Sequence, residues 1–262
     1  MSGTAYTAGG RAGRQENGPT APWSDNVLSG TYVIAGGSHG IGLELVRMLA
    51  PTAARIDVWS RTSGELPAAA GIRHLPCDFS DSDGPLPESP DEICGAVYCP
   101  GSITLRSFRS LAPADFRQDL ELNLLGAVRF LQALQPRLKG PDGGPASVVL
   151  FSTVAVGQGM PMHASVAAAK GAVEGLTRSL AAEWAPKIRV NAIAPALVDT
   201  PLAGRLLSSP EKREALAARY PLKRIGMPAD VAAIARFLLS AESGWITGQV
   251  FGVDGGMSTL RG

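Results

Sequence analysis

The chain has 262 residues, 45% of them hydrophobic and 18% charged, with a formal net charge of +1. That balance supplies enough apolar material for buried parallel strands and excludes a disordered chain, while the near-neutral charge excludes the broad basic field of a nucleic-acid or anionic-membrane binder. No apolar run approaches the roughly 18 residues of a membrane span, and no signal-peptide core stands at the start, so a soluble, cytoplasmic protein with a small-molecule partner is expected.

In chain order, residues 1–25 are rich in Gly, Ala, Thr and polar groups without any period, and they read as a disordered tail ahead of one domain over 26–262. From Gly30 short β-rich apolar runs alternate with longer helical ones. The predicted strands are 31–35, 55–59, 71–75, 95–99, 147–152, 189–193 and 250–253; the predicted helices are 41–50, 114–138, 164–185, 210–219 and 229–240. Alternation of this kind predicts an α/β protein with a Rossmann-type, doubly wound, parallel seven-stranded sheet and helices on both faces. Cys77, Cys94 and Cys99 have no C-x-x-C spacing and are too few for a disulfide framework, which fits a reducing compartment. No metal is implied.

The first strand runs into Ala35-Gly36-Gly37-Ser38-His39-Gly40-Ile41-Gly42 and then directly into a helical pattern. Glycines let backbone amides approach a pyrophosphate, and the helix N-terminus adds unpaired N–H groups and a favourable dipole. Gly36-x-x-x-Gly40-Ile41-Gly42 resembles the T-G-x-x-x-G-I-G motif of the classical short-chain dehydrogenases/reductases, and the likeness to members such as 3-oxoacyl-ACP reductases extends over about residues 28–260. By that resemblance, Asp78 matches the aspartate that contacts adenine, Asn123 a structural and catalytic asparagine, and Lys170 the lysine of Y-x-x-x-K. The segment from Arg189 to Pro195, with Thr200 beyond, resembles the nicotinamide-side loop, and Gly248 to Gly256 the closing strand and turn. The resemblance also assigns Ser38, Gly101, Pro195 and Val198 to cofactor binding.

Cofactor choice turns on the end of the second strand, where an acid would bind the ribose 2′-OH and an arginine a 2′-phosphate. Ser60 stands where NAD-preferring relatives carry Asp, and Arg61 follows it. A guanidinium pairs with a phosphate bidentately, so NADP is expected. The competing readings are that Arg61 is a solvated loop residue and that Asp57 shifts the count. His39 in the glycine turn either faces the ribose phosphate or simply faces solvent.

Four residues before Lys170 the family's tyrosine is replaced by Val166, which has no proton to give. Thirteen residues before Val166, at the family's serine position, stands Thr153, whose hydroxyl can still polarise a carbonyl. Neither Thr153 nor Ser152 replaces a phenol primed by lysine. His163, three residues before Val166, shares its helix face and is the local candidate proton donor; alternatively it only hydrogen-bonds a loop at the helix start. Tyr98 reads as structural. Met160 and Met162 either shape an apolar substrate pocket or fill gaps in the core.

The reading this supports is an NADP(H)-dependent oxidoreductase acting on a carbonyl or alcohol with an atypical proton donor. Alternatives from other classes are an NADP-binding sensor or inactive subunit without redox turnover, and an enzyme of the same fold with phenol-independent chemistry. Small residues along the 164–184 helix, where relatives form a two-fold interface, imply a homotetramer or homodimer.

Overall fold

The structure is a computed structural model that describes residues 28–260, so the tail expected over 1–25 lies outside the described residues. Seven strands, β1 (Thr31–Ala35), β2 (Arg55–Ser60), β3 (Ile72–Pro76), β4 (Gly95–Tyr98), β5 (Ala146–Phe151), β6 (Ile188–Pro195) and β7 (Val250–Val253), form one sheet in the order β3-β2-β1-β4-β5-β6-β7. Every pairing is parallel. The order reverses between β1 and β4, and in open α/β sheets ligands bind beyond the carboxyl ends of the strands at such a point.

Strand side chains alternate between two buried faces. Tyr32, Ile34, Ile56, Val58, Val97, Val149 and Ile193 pack on one side with α1 (Gly40–Leu49) and α7 (Pro228–Leu239) through Leu45, Val46, Leu49, Val231, Ala235 and Leu238. Val33, Ala35, Trp59, Ala96, Tyr98, Val148, Leu150 and Val190 point to the other side, against α3 (Gly126–Leu134) and α5 (Ala164–Trp184). Burial on both faces explains why the strands read as continuous apolar runs. Trp59, Phe79 and Tyr98 all meet Phe130 of α3, with Trp59 edge-on at a centroid distance of 5.5 Å.

Strand boundaries fall within two residues of those predicted, but the single helix expected over 114–138 is divided. It comprises α2 (Pro113–Leu120), a π-helical turn over Glu121–Leu125, α3, and a 3-10 turn over Gln135–Arg137. The apolar pattern continues across the break because both halves bury one stripe, so periodicity alone does not show the extra residue in the π turn. Two further helices, α4 (Ala155–Gln158) and α6 (Pro210–Ala217), flank the carboxyl ends of β5 and β6. The β2–β3 connection over 61–71 and the β3–β4 connection over 77–94 contain no helix.

Arg189 of β6 is 5% exposed and donates through its guanidinium to Leu238 O at 3.0 Å, Ser240 O at 3.1 Å and Ser243 Oγ at 2.9 Å. It thus joins the Ser147 and Ser243 hydroxyls in satisfying the carbonyls at the end of α7 and ties that helix to the sheet.

Candidate functional site

The glycine turn connects β1 to α1. Gly36 has φ of +70°, and a Cβ there would lie 3.1 Å from the Pro100 ring; a Cβ on Gly42 would lie 2.4 Å from Gly36 O. The turn therefore closes on itself only without side chains. No side chain caps the first turn of α1, which leaves its N–H groups facing outward. Thr200, from the loop after β6, packs its Cγ2 3.1 Å from where a Cβ on Gly40 would stand, which brings the glycine turn and that loop together. Ser38 is buried and its Oγ lies 3.0 Å from His39 Nδ1, while the His39 ring packs against Gly64.

Within β2, three residues before Ser60, Asp57 is buried and held bidentately by Arg55 at 2.8 and 2.7 Å, so its carboxylate is already engaged. Ser60 is buried and donates to Thr62 O at 2.9 Å. Arg61 is exposed. Asp78 accepts from the Ser80 hydroxyl at 2.6 Å and its N–H at 2.9 Å; these bonds, with the Arg61 charge, hold its carboxyl below the usual range.

From the carboxyl ends of β4, β5 and β6 opens a cavity of about 390 Å³. Its wall brings together Ile41, Gly101, Thr153, His163, Val166, Lys170, Pro195, Val198 and Thr200, which are dispersed over 160 positions of sequence from 41 to 200. Asn123 sits behind Gly101: a Cβ on Gly101 would be 3.3 Å from Asn123 Oδ1 and 3.4 Å from Lys170 Nζ. Thr153 Oγ1 accepts from Ala155 N at 3.3 Å, so its own proton is free to turn toward the cavity. Ser152 instead donates to Glu174 Oε1 at 2.8 Å. His163 Nδ1 lies 2.8 Å from Pro161 O; a carbonyl only accepts, so Nδ1 carries a proton and Nε2 is left to exchange one. Burial lowers the Lys170 ammonium to about 8, opposed by the neighbouring Cys99 and Asp119.

A chain with this sheet order, glycine turn and cavity invites comparison with known proteins. A family model described as Enoyl-(Acyl carrier protein) reductase matches residues 91–258. A tropinone reductase homologue of Arabidopsis thaliana is 32% identical over 252 residues, covering 90% of this chain and 94% of the relative. The chain belongs to the short-chain dehydrogenase/reductase family. The 3-oxoacyl-[acyl-carrier-protein] reductase MabA of Mycobacterium tuberculosis is 30% identical over 237 residues, covering 88% of this chain and 93% of MabA. Among solved structures, the aldohexose dehydrogenase of Thermoplasma acidophilum superposes with a TM-score of 0.78 at 26% identity, over 90% of this chain and 96% of that one. Family membership makes the chain a homologue of oxidoreductases and confirms the doubly wound sheet.

Several residues at the site were not singled out from sequence. Asp119 is 1% exposed and accepts from Ser102 Oγ at 2.6 Å and Thr104 Oγ1 at 3.0 Å, while its Oδ2 has no partner among the described residues. Asn123 Nδ2 donates to Ser102 Oγ and to Asp119 O, both at 2.8 Å, and its Oδ1 is likewise buried without a partner. The available signal was the four-residue spacing of Asp119 and Asn123, which puts them one turn apart on one helix. Tyr220 and Arg219 also line the cavity, and nothing local in the sequence marks them.

Proposed function

We propose that this chain is an NADP(H)-dependent oxidoreductase that acts on the carbonyl or alcohol of a small molecule, with a proton donor other than the family's tyrosine. The observation that carries the reading is the shared cavity: Thr153 and Lys170 line the same wall that runs to Ile41 and Thr200 beside the glycine turn. The residues fit a dinucleotide, since the crowding of Gly36 against Pro100 and of Gly42 against Gly36 O makes a side-chain-free cradle at an uncapped helix start. In this assignment Gly36, Ser38, His39, Gly40, Ile41 and Gly42 hold the pyrophosphate side; Ser60, Arg61 and Asp78 hold the adenosine; and Gly101, Lys170, Pro195, Val198 and Thr200 hold the nicotinamide side. Arg61 supports NADP, because β2 ends on Ser60 rather than on an acid, and Asp57 within the strand is already bound by Arg55.

When bound, the nicotinamide supplies or accepts the hydride. The protein's part in reduction is to polarise the carbonyl through the Thr153 hydroxyl, to keep a cation nearby at Lys170 Nζ, and to deliver a proton to the oxygen as hydride reaches the carbon. His163 is the group assigned to that proton, through Nε2, since Nδ1 is held by Pro161 O. Asn123 braces the site behind Gly101. NADPH consumption over a panel of ketones, quinones and acyl thioesters tests the reading; tight NADPH binding with no turnover on any of them would move it to a second one.

That second reading, a cofactor-binding protein without redox turnover, is favoured by one observation: Val166 lines the cavity one turn from Lys170 and offers no hydroxyl. Either protein is assigned as a homotetramer or homodimer through α5, on its small residues Ala167, Ala168, Ala169, Gly171 and Ala172, of which Ala168 is exposed, Ala169 buried and the others half-buried. Light scattering that reports a monomer at micromolar concentration would remove that assignment. Among the described residues no helix is long and apolar enough to cross a membrane.

A further inference from the structure

Charge around the cavity is uneven. Of its lining side chains His163, Lys170 and Arg219 are basic, and none is a carboxylate. The basic residues around Arg219 are engaged elsewhere. Lys212 Nζ donates to Ser208 Oγ at 2.9 Å, and Arg213 forks onto Asp199 at 2.6 and 3.0 Å. Lys223 Nζ donates to Ala218 O at 3.0 Å, and Arg224 forks onto Asp230 at 2.5 and 2.8 Å. Arg219 is exposed and its guanidinium has no ion pair or hydrogen bond among the described residues.

Beside it, Tyr220 is 6% exposed, and its hydroxyl accepts from Leu197 N at 3.2 Å. The tyrosyl proton has no acceptor among the described residues, and a buried donor left unused is costly. Much of the remaining wall is apolar, formed by Met160, Leu197, Leu206, Leu216 and Met257. We propose that Arg219 and Tyr220 form an anion subsite, and that the substrate is an amphipathic carbonyl or alcohol compound bearing a carboxylate at the end away from the reacting carbon. Its apolar body is buried against the aliphatic wall, while the carboxylate stays at a solvent-exposed guanidinium and avoids the cost of burying a charge. The proposal rests on the oxidoreductase reading for the reacting carbonyl and stands apart from it for the anion.

The probes are para-acetylbenzoate and its methyl ester, which share a ketone and an aromatic ring, the ester replacing the anion by a neutral group one methyl larger. Calorimetry on the full chain, with and without NADP, should show the acid binding about threefold or more tightly than the ester, a preference that shrinks with added salt. Arg219→Ala should bring the preference close to one, Arg219→Lys should restore most of it, and Tyr220→Phe should reduce it. Arg205→Ala, at an exposed arginine outside the cavity wall, should keep it. Equal binding of acid and ester, binding of neither, or a preference that survives Arg219→Ala overturns the subsite. Turnover of both probes with no acid preference likewise overturns the subsite while leaving the oxidoreductase reading in place. An Arg219-dependent preference in binding without NADPH consumption supports the subsite and leaves the oxidoreductase reading to be decided by the wider substrate panel.

Discussion

Asn123 Oδ1 and Lys170 Nζ converge on the same point above Gly101, where an added methyl carbon would stand 3.3 Å from one and 3.4 Å from the other. The contact to Asn123 is tighter than ordinary packing and that to Lys170 lies at its limit, and neither partner can retreat freely: Asn123 is held by two hydrogen bonds and Lys170 is buried. Gly101→Ala is therefore expected to displace the lysine head rather than to unfold the chain. NADPH affinity should fall about tenfold while stability falls by only about 1 kcal/mol, the ordinary cost of mild overpacking. Fluorescence titration of the cofactor alongside thermal unfolding separates the two effects.

On the proposed dinucleotide site, the lowered pKa of Lys170 is expected to set a pH limit on cofactor binding. Burial favours the neutral amine, so the ammonium that would hold the nicotinamide ribose is present below about pH 8 and is lost as pH rises through that value. An unperturbed lysine would keep its charge to above about pH 10. NADPH affinity should decline from about pH 8 upward in the wild type, and Lys170→Met should bind more weakly at pH 7 with no inflection near 8. A wild-type affinity that holds constant to pH 10 contradicts this.

Restoring a phenol tests the proton donor. Val166→Tyr places a hydroxyl on the cavity wall one helical turn from Lys170. If the site lacks only an efficient acid, ketone reduction should rise by about one to two orders of magnitude, within the range that general acid–base assistance supplies. If His163 already serves, the added tyrosine should change little and His163→Ala should abolish turnover. NADPH consumption by both variants decides between them.

Arg61→Ala should lower NADPH affinity by about tenfold or more and leave NADH affinity within about twofold, since only one of these cofactors carries the 2′-phosphate. Equal wild-type affinity for the two dinucleotides would contradict the NADP assignment.

Arg189 answers for the sheet rather than for the chemistry. Replacing it by methionine keeps the aliphatic volume and removes the guanidinium's bonds to the Leu238 and Ser240 carbonyls, which retain hydroxyl donors from Ser147 and Ser243. A loss of about 1.5–3 kcal/mol, the worth of hydrogen bonding by a charged group, is expected in denaturant unfolding. An unchanged unfolding midpoint would show that water replaces the guanidinium without cost.

What was legible in the sequence follows from which interactions are local. The five inner strands were readable because each is a short, largely apolar run buried on both faces, the partly buried edge strands β3 and β7 only from their place in the alternation, and the glycine turn because its chemistry is contained in eight consecutive residues, Ala35 to Gly42. Thr153, Lys170 and Asn123 could be placed only through the family's motif spacing. The break at 121–125 was hidden, since an i+5 turn leaves no compositional trace. Ser102, Asp119 and Tyr220 were missed for a different reason: their partners come from other elements, and 23 positions separate Tyr220 from the Leu197 amide it receives.

The π turn at Glu121–Leu125 divides one nominal helix into two units with separate angular phase. α2 turns Asp119 toward the polar cluster at the site, whereas α3 turns Phe130, Leu131 and Leu134 into the sheet. One inserted residue rotates everything beyond it by roughly 100°. The two halves can thus accumulate substitutions independently: exchanges in α2 retune the site without re-aiming the core stripe of α3. Deleting a single residue between 121 and 125 would cancel that independence, swinging one stripe out of register whenever the other was kept.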